Sequence, residues 1–136
     1  MSAVLAVDTS VVVPALVSTH EAHAVARAIL AERPGIPADV VLESYSVLTR
    51  LPFPLRVRGP VAAELLARTF VEVMSLAEED QRTVVATLAA KGVSGGAAYD
   101  GIVALTARRV EAQLCTRDRR ARATYEALGV DVRWVA

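Results

Sequence analysis

The stretch Ala3-Val4-Leu5-Ala6-Val7-Asp8-Thr9-Ser10 decides the fold. An unbroken apolar run gives way to small polar residues, each of a type that caps helices well. Such a run, over residues 3–7, reads as a strand buried on both faces, and its polar end as the hand-over to a helix. Strands of this kind belong to parallel sheets covered by helices, so short apolar runs and helical segments are expected to alternate along the rest of the chain.

They do alternate. Residues 20–32 read as a helix with Ala24, Ala28 and Ala31 on one face and Val25 and Ile29 beside them, stopped by Pro34-Gly35. Residues 35–38 form a short second strand or extended link, and Asp39 opens a helix that runs to Leu51 and ends at Pro52. Residues 52–60 make a proline-punctuated loop. A helix from Gly59-Pro60 to Val71 leads to a third strand over 72–76, and Glu78-Glu79-Asp80 places negative charge where a helix dipole favours it. That helix ends at Lys91-Gly92. Gly95-Gly96 then opens a helix reaching Glu111, followed by a strand over 112–116, a helix over 119–128 stopped by Gly129, and a fifth strand over 130–135. The expected fold is a single α/β domain over residues 1–136, with three layers and a mostly parallel, about five-stranded sheet. Its active site should lie beyond the carboxyl ends of the strands.

Composition agrees with this reading. Of 136 residues 54% are hydrophobic, and fifteen basic residues balance fifteen acidic ones, which excludes disorder and supplies a substantial core. The apolar stretch over residues 11–17 is too short to span a bilayer, and Asp8 stands where a signal peptide needs its apolar centre. A cytoplasmic protein with no membrane partner is expected. Cys115 is the only cysteine, so an internal disulfide framework and a cysteine-rich zinc site are excluded. Lys91 is the only lysine, and Arg108, Arg109, Arg117, Arg119, Arg120 and Arg122 face only Glu111 and Asp118 in their stretch. A basic patch and a solvated helix face both fit that pattern.

Four carboxylates carry the chemistry. Asp8 ends the first strand and Asp118 follows the fourth by two residues, so they emerge at one edge of the sheet if those strands are neighbours. Each also reads as a helix cap. Asp100 lies in Ala97-Ala98-Tyr99-Asp100-Gly101-Ile102-Val103-Ala104, with no basic residue three or four positions away, so its charge must be compensated from elsewhere. Glu43 lies in a similar setting in Val40-Val41-Leu42-Glu43-Ser44-Tyr45, out of helical reach of Arg50, and equally fits a solvated helix face. Converging acids raise one another's pKa values unless cations sit between them, and oxygen-only donors select magnesium or manganese over zinc. His20 and His23 read as surface residues of an early helix. A carboxylate cluster around such an ion suits phosphoester hydrolysis.

In order and spacing, Val7-Asp8-Thr9-Ser10-Val11, Glu43 in Val41-Leu42-Glu43-Ser44-Tyr45, Tyr99-Asp100-Gly101-Ile102-Val103-Ala104 and Cys115-Thr116-Arg117-Asp118 resemble the PIN-domain proteins, specifically the VapC-type ribonuclease toxins, across essentially the whole chain. The resemblance implies a Mg2+- or Mn2+-dependent endoribonuclease, the toxin of a type II toxin–antitoxin pair. It assigns Asp8, Glu43, Asp100 and Asp118 to the catalytic, metal-holding cluster, and Ser10 and Thr116 to supporting it. It further implies a homodimer and a cognate VapB-like antitoxin whose tail lies over the groove. Family members often carry a further acid or amide near the last motif, where this chain has Arg119, Arg120 and Arg122.

Arg117, Arg119 and Arg120 are placed to grip RNA phosphates, and Phe53, Arg56 and Arg58 of the loop to touch substrate or antitoxin or simply to be solvated. Trp134, Tyr99 and Tyr125 read as packing residues. The alternative is a catalytically silent PIN-like module that binds RNA or protein. A receiver-type domain is disfavoured because Lys91 is misplaced for it. A haloacid-dehalogenase-like phosphatase is disfavoured because Ser10 stands where a second aspartate is needed.

Overall fold

The computed structural model describes residues 4–136. Ala3, counted in the first strand above, lies outside the described residues. Strand β1 (Leu5–Val7) is buried throughout, as the apolar run requires, and α1 (Thr9–Leu16) and α2 (His23–Leu30) lead to β2 (Ile36–Pro37). Helices α3 (Ala38–Thr49) and α4 (Gly59–Thr69) precede β3 (Val73–Met74). Helices α5 (Glu78–Ala90) and α6 (Ala97–Arg109) precede β4 (Gln113–Thr116). The chain closes with a 3-10 turn (Arg119–Ala121), α7 (Arg122–Leu128) and β5 (Val132–Trp134).

All pairings are parallel: β1 with β4, β4 with β5 and β2 with β3. A bridge between Ala6 and Gly35, with the Gly35 N–H donating to the Leu5 carbonyl at 2.8 Å, joins the two groups of strands into the order β3-β2-β1-β4-β5. The chain winds one way from β1 to β3 and the other way from β4 to β5. The crevice above β1 and β4 is therefore the switch point of the sheet, where α/β proteins bind ligands. Asp8 and Asp118 do emerge at neighbouring strands, because Val7 pairs with Cys115.

Val7, Val11, Val12, Ile36, Val40, Leu114 and Leu128 fill the core. The early helix buries Ala22, Ala26 and Ile29, whereas Ala24, Ala28 and Ala31 are exposed. Asp39 falls inside the first turn of α3, whose N-cap is Pro37. Gly129 adopts φ 70°, the left-handed conformation that ends α7 as expected. Gly101 serves close packing: a Cβ there would meet Leu88 Cδ2 at 2.5 Å, so its absence lets α6 seat against α5 beside Asp100. Tyr99 is 75% exposed and does not pack into the core. Among the described residues no helix is long and apolar enough to cross a membrane.

Candidate active site

A single open cavity of about 430 Å³ beyond the carboxyl ends of β1 and β4 is lined by Asp8, Glu43, Asp100 and Asp118, with Arg117 and Arg120 on its wall. Asp8 is the buried member, 5% exposed, and its two oxygens take four donors. Ser10 gives its N–H (3.1 Å) and its hydroxyl (2.5 Å) to Oδ1. Thr116 and Tyr125 give their hydroxyls to Oδ2 at 2.5 and 2.8 Å. A carboxylate has about four acceptor positions, so the protein fills them all.

The two short hydroxyls are relays. Ser10 Oγ accepts from the Arg117 N–H at 2.8 Å, and Thr116 Oγ1 accepts from the Asp118 N–H at 3.0 Å. The turn after β4 is thus fastened to Asp8 through side chains from α1 and β4. Burial raises the Asp8 carboxyl pKa above its ordinary value, and the bonds from Ser10, Thr116 and Tyr125 work against that rise. Tyr125, itself buried and facing the Asp8 charge, is pushed upward and keeps its proton to donate.

The helix-cap reading of Asp8 and Asp118 and the site reading hold together. Asp8 caps α1 through the Ser10 N–H, and Asp118 caps the 3-10 turn through the Arg120 N–H at 3.0 Å. Glu43 projects from α3, exposed, and receives the Thr9 hydroxyl. Asp100 in the first turn of α6 is half-buried, and its pKa is pushed up to about 6 by burial and by the charges of Asp118, Glu43 and Asp8, against Arg120. Asp100 thus senses the other three acids. Arg120 Nε lies 3.5 Å from Asp118 Oδ1.

The donors are all hard oxygens, and Asp100 carries the repulsion a divalent cation would relieve, so the donor chemistry fits Mg2+ or Mn2+. Among the described residues no three acids, histidines or cysteines form a ready-made ligand group. His23 lies on α2, but His20 precedes it, accepts the Ala22 N–H at Nδ1 and lines the cavity. Sequence reasoning missed Thr9, His20 and the bond of Tyr125 to Asp8. The signal for Tyr125 was an aromatic hydroxyl in a helix that packs on the sheet, which must find a partner once buried.

The family model described as "PIN domain" matches residues 5–127. Ribonuclease VapC27 of Mycobacterium tuberculosis is 46% identical over 129 residues, spanning 94% of each chain. Ribonuclease VapC40 of the same species is 42% identical over 133 residues, spanning 96% of this chain and 98% of its own. Among solved structures, FitAB bound to an IR36 DNA fragment superposes with a TM-score of 0.68 at 20% identity, covering 96% of this chain and 94% of that one, and so shares the fold. With an all-parallel sheet, acids gathered at its switch point and these matches over nearly its full length, the chain belongs to the PIN domain family.

Proposed function

We propose that this protein is a divalent-metal-dependent endoribonuclease and acts as the toxin of a toxin–antitoxin pair in the cytoplasm. The observation that carries the reading is the gathering of Asp8, Glu43, Asp100 and Asp118 on one cavity wall at the switch point, with Asp100 raised by burial and by the charges of the other three. Two relatives named as VapC ribonucleases at 42–46% identity support it. By the same kinship it would act on RNA, form a homodimer and be restrained by a VapB-like antitoxin.

Asp100, Glu43 and Asp118 would hold Mg2+ or Mn2+, joined by Asp8 where one of its hydroxyl donors yields. When bound, the ion supplies charge neutralisation at phosphoryl oxygens and lowers the pKa of an attacking water. Ser10 and Thr116 orient the turn that carries Asp118, Thr9 holds one oxygen of Glu43, and Tyr125 keeps its proton and donates it in a hydrogen bond to Asp8 Oδ2. Arg117 and Arg120 bring positive charge to the mouth for the RNA backbone. The filled acceptor positions of Asp8 favour a second reading, a silent RNA- or protein-binding module.

Incubating purified protein with total cellular RNA in magnesium, manganese or chelator, beside Asp100→Asn, separates the two. Discrete new RNA ends that require both metal and Asp100 establish the nuclease. Folded, metal-replete, antitoxin-free protein that leaves RNA intact overturns the nuclease and favours the binding module.

A further inference from the structure

Trp134 stands at the carboxyl end of β5, in register with Thr116, one strand outward from the acid cavity. Two guanidiniums lie over its ring: Arg119 Cζ at 4.5 Å from the centroid and Arg122 Cζ at 5.1 Å. Each cation–π contact at such an exposed place is weak, and the two cations repel one another. The neighbouring arginines are otherwise engaged, Arg120 with Asp118 and Arg117 with the Ala136 carbonyl at 3.3 Å. Among the described residues no carboxylate pairs with Arg119, and the Glu126 partner of Arg122 lies 3.6 Å away on the solvated helix surface. Arg119 also stays out of the acid cavity, whose wall includes Arg117 and Arg120. A pair of guanidiniums propped on one indole, one without a carboxylate partner among the described residues and the other held only by an exposed glutamate, matches a phosphate group, which accepts planar, bidentate contacts.

We infer that Arg119 and Arg122, supported by Trp134, form a subsite for a backbone phosphate of the RNA strand next to the one in the acid cavity. This rests on the ribonuclease reading for its ligand. The indole holds the arginines and is not a base-stacking platform, because the guanidiniums already cover it. Arg122 and the supporting role of Trp134 are thereby added to the RNA-contacting residues, and Arg119 acts apart from Arg117 and Arg120.

Trp134 is the only tryptophan, so its emission reports on the stack directly. The full-length protein in chelator is titrated with a short single-stranded oligoribonucleotide, and separately with inorganic phosphate, at several salt concentrations. The oligoribonucleotide is expected to change the emission saturably, at concentrations where inorganic phosphate does not. Arg119→Gln and Arg122→Gln should each weaken binding about five- to tenfold. The double variant should lower the slope of log affinity against log salt by about 0.7, the value for one phosphate contact on a single strand. Anisotropy of a labelled oligoribonucleotide extends the test to Trp134→Leu, expected to bind more weakly although both charges remain, and to Trp134→Phe, expected to recover most of the loss.

Wild-type affinity and salt slope in the double arginine variant overturn the subsite, as does failure of the wild type to bind. An equal response to free phosphate overturns it too. Unchanged binding by Trp134→Leu overturns the supporting role. Cleavage in metal is scored separately. Binding that depends on these residues without cleavage keeps the subsite and ends the nuclease reading; cleavage with arginine-independent binding does the reverse.

Discussion

Tyr125 and Asp8, separated by 117 positions in sequence, meet through a 2.8 Å hydrogen bond in which the phenol donates to Oδ2. Both groups are buried, with 1% and 5% of their surface exposed, so water cannot replace either partner. The bond ties the last helix of the chain to the first strand at the acid site.

Tyr125→Phe keeps the ring and removes the donor. Hydrogen bonds to a buried charge contribute about 1.5–3 kcal/mol, and a loss of that size in unfolding free energy is expected, read from a lowered denaturant midpoint. An unchanged midpoint would show that Asp8 finds another donor at no cost.

Thr116 serves two partners, donating to Asp8 and accepting from the Asp118 N–H. Thr116→Val preserves the shape but leaves the Asp118 N–H without its acceptor and takes one of four donors from Asp8, and a destabilisation of about 1–3 kcal/mol is expected, accompanied, on the proposed function, by reduced RNA cleavage as Asp118 loses its tether. Thr116→Ser should restore most of both. Thermal unfolding and cleavage assays on the two variants check this, and equal behaviour of Val and Ser would remove the hydroxyl from the account.

The raised pKa of Asp100 has a signed consequence. Its carboxyl titrates at about 6 in the folded protein against 3.8 ordinarily, so folding is opposed progressively as pH climbs through that window. The cost then persists at higher pH. Asp100→Asn removes it, and the variant should exceed the wild type in stability above about pH 6 by on the order of 1 kcal/mol, a figure discounted for solvent screening of a half-exposed group. Below about pH 4 the advantage should vanish. Magnesium or manganese at neutral pH should raise the wild-type Tm more than that of Asp100→Asn; equal shifts would place the ion elsewhere.

Ser44, one residue after Glu43, is fully buried in α3, and among the described residues its Oγ has no hydrogen-bond partner. Ser44→Ala removes an unsatisfied hydroxyl and improves helix propensity, so a gain of about 1 kcal/mol in unfolding free energy is expected. A loss instead would mean that the hydroxyl is bonded in solution.

Much of this was legible in the sequence because it is local. The apolar run before Asp8, the Pro52 stop, the acidic start of α5 and Gly129 each act within a turn or two, and each marks an element. The four acids stood out because Asp100 and Glu43 lack helical partners, and the structure sets all four on one cavity. What stayed hidden depends on distant partners. The bonds of Asp8 to Thr116 and Tyr125, and of Thr9 to Glu43, require knowing which strand ends and helix faces meet. The expected last helix opens with a 3-10 turn because Asp118 turns back to bond the Arg120 N–H. Trp134 was read as a packing residue, and only the end of β5 reveals that its ring lies under two arginines.

The distance along the chain between Asp8 and Thr116, 108 residues, also sets a timetable for synthesis. At about 5–20 residues per second, a ribosome that has made Asp8 needs roughly 5–20 s more to make its partner, and longer to release it. During that interval β1 has no β4 beside it, and the turn bearing Asp118 does not yet exist. A nascent chain at that stage therefore lacks one of the four acids that line the cavity and the strand that places it. The last of the donors to Asp8, the Tyr125 hydroxyl, joins the site only when the helix made near the end of synthesis reaches the residue that follows the first strand.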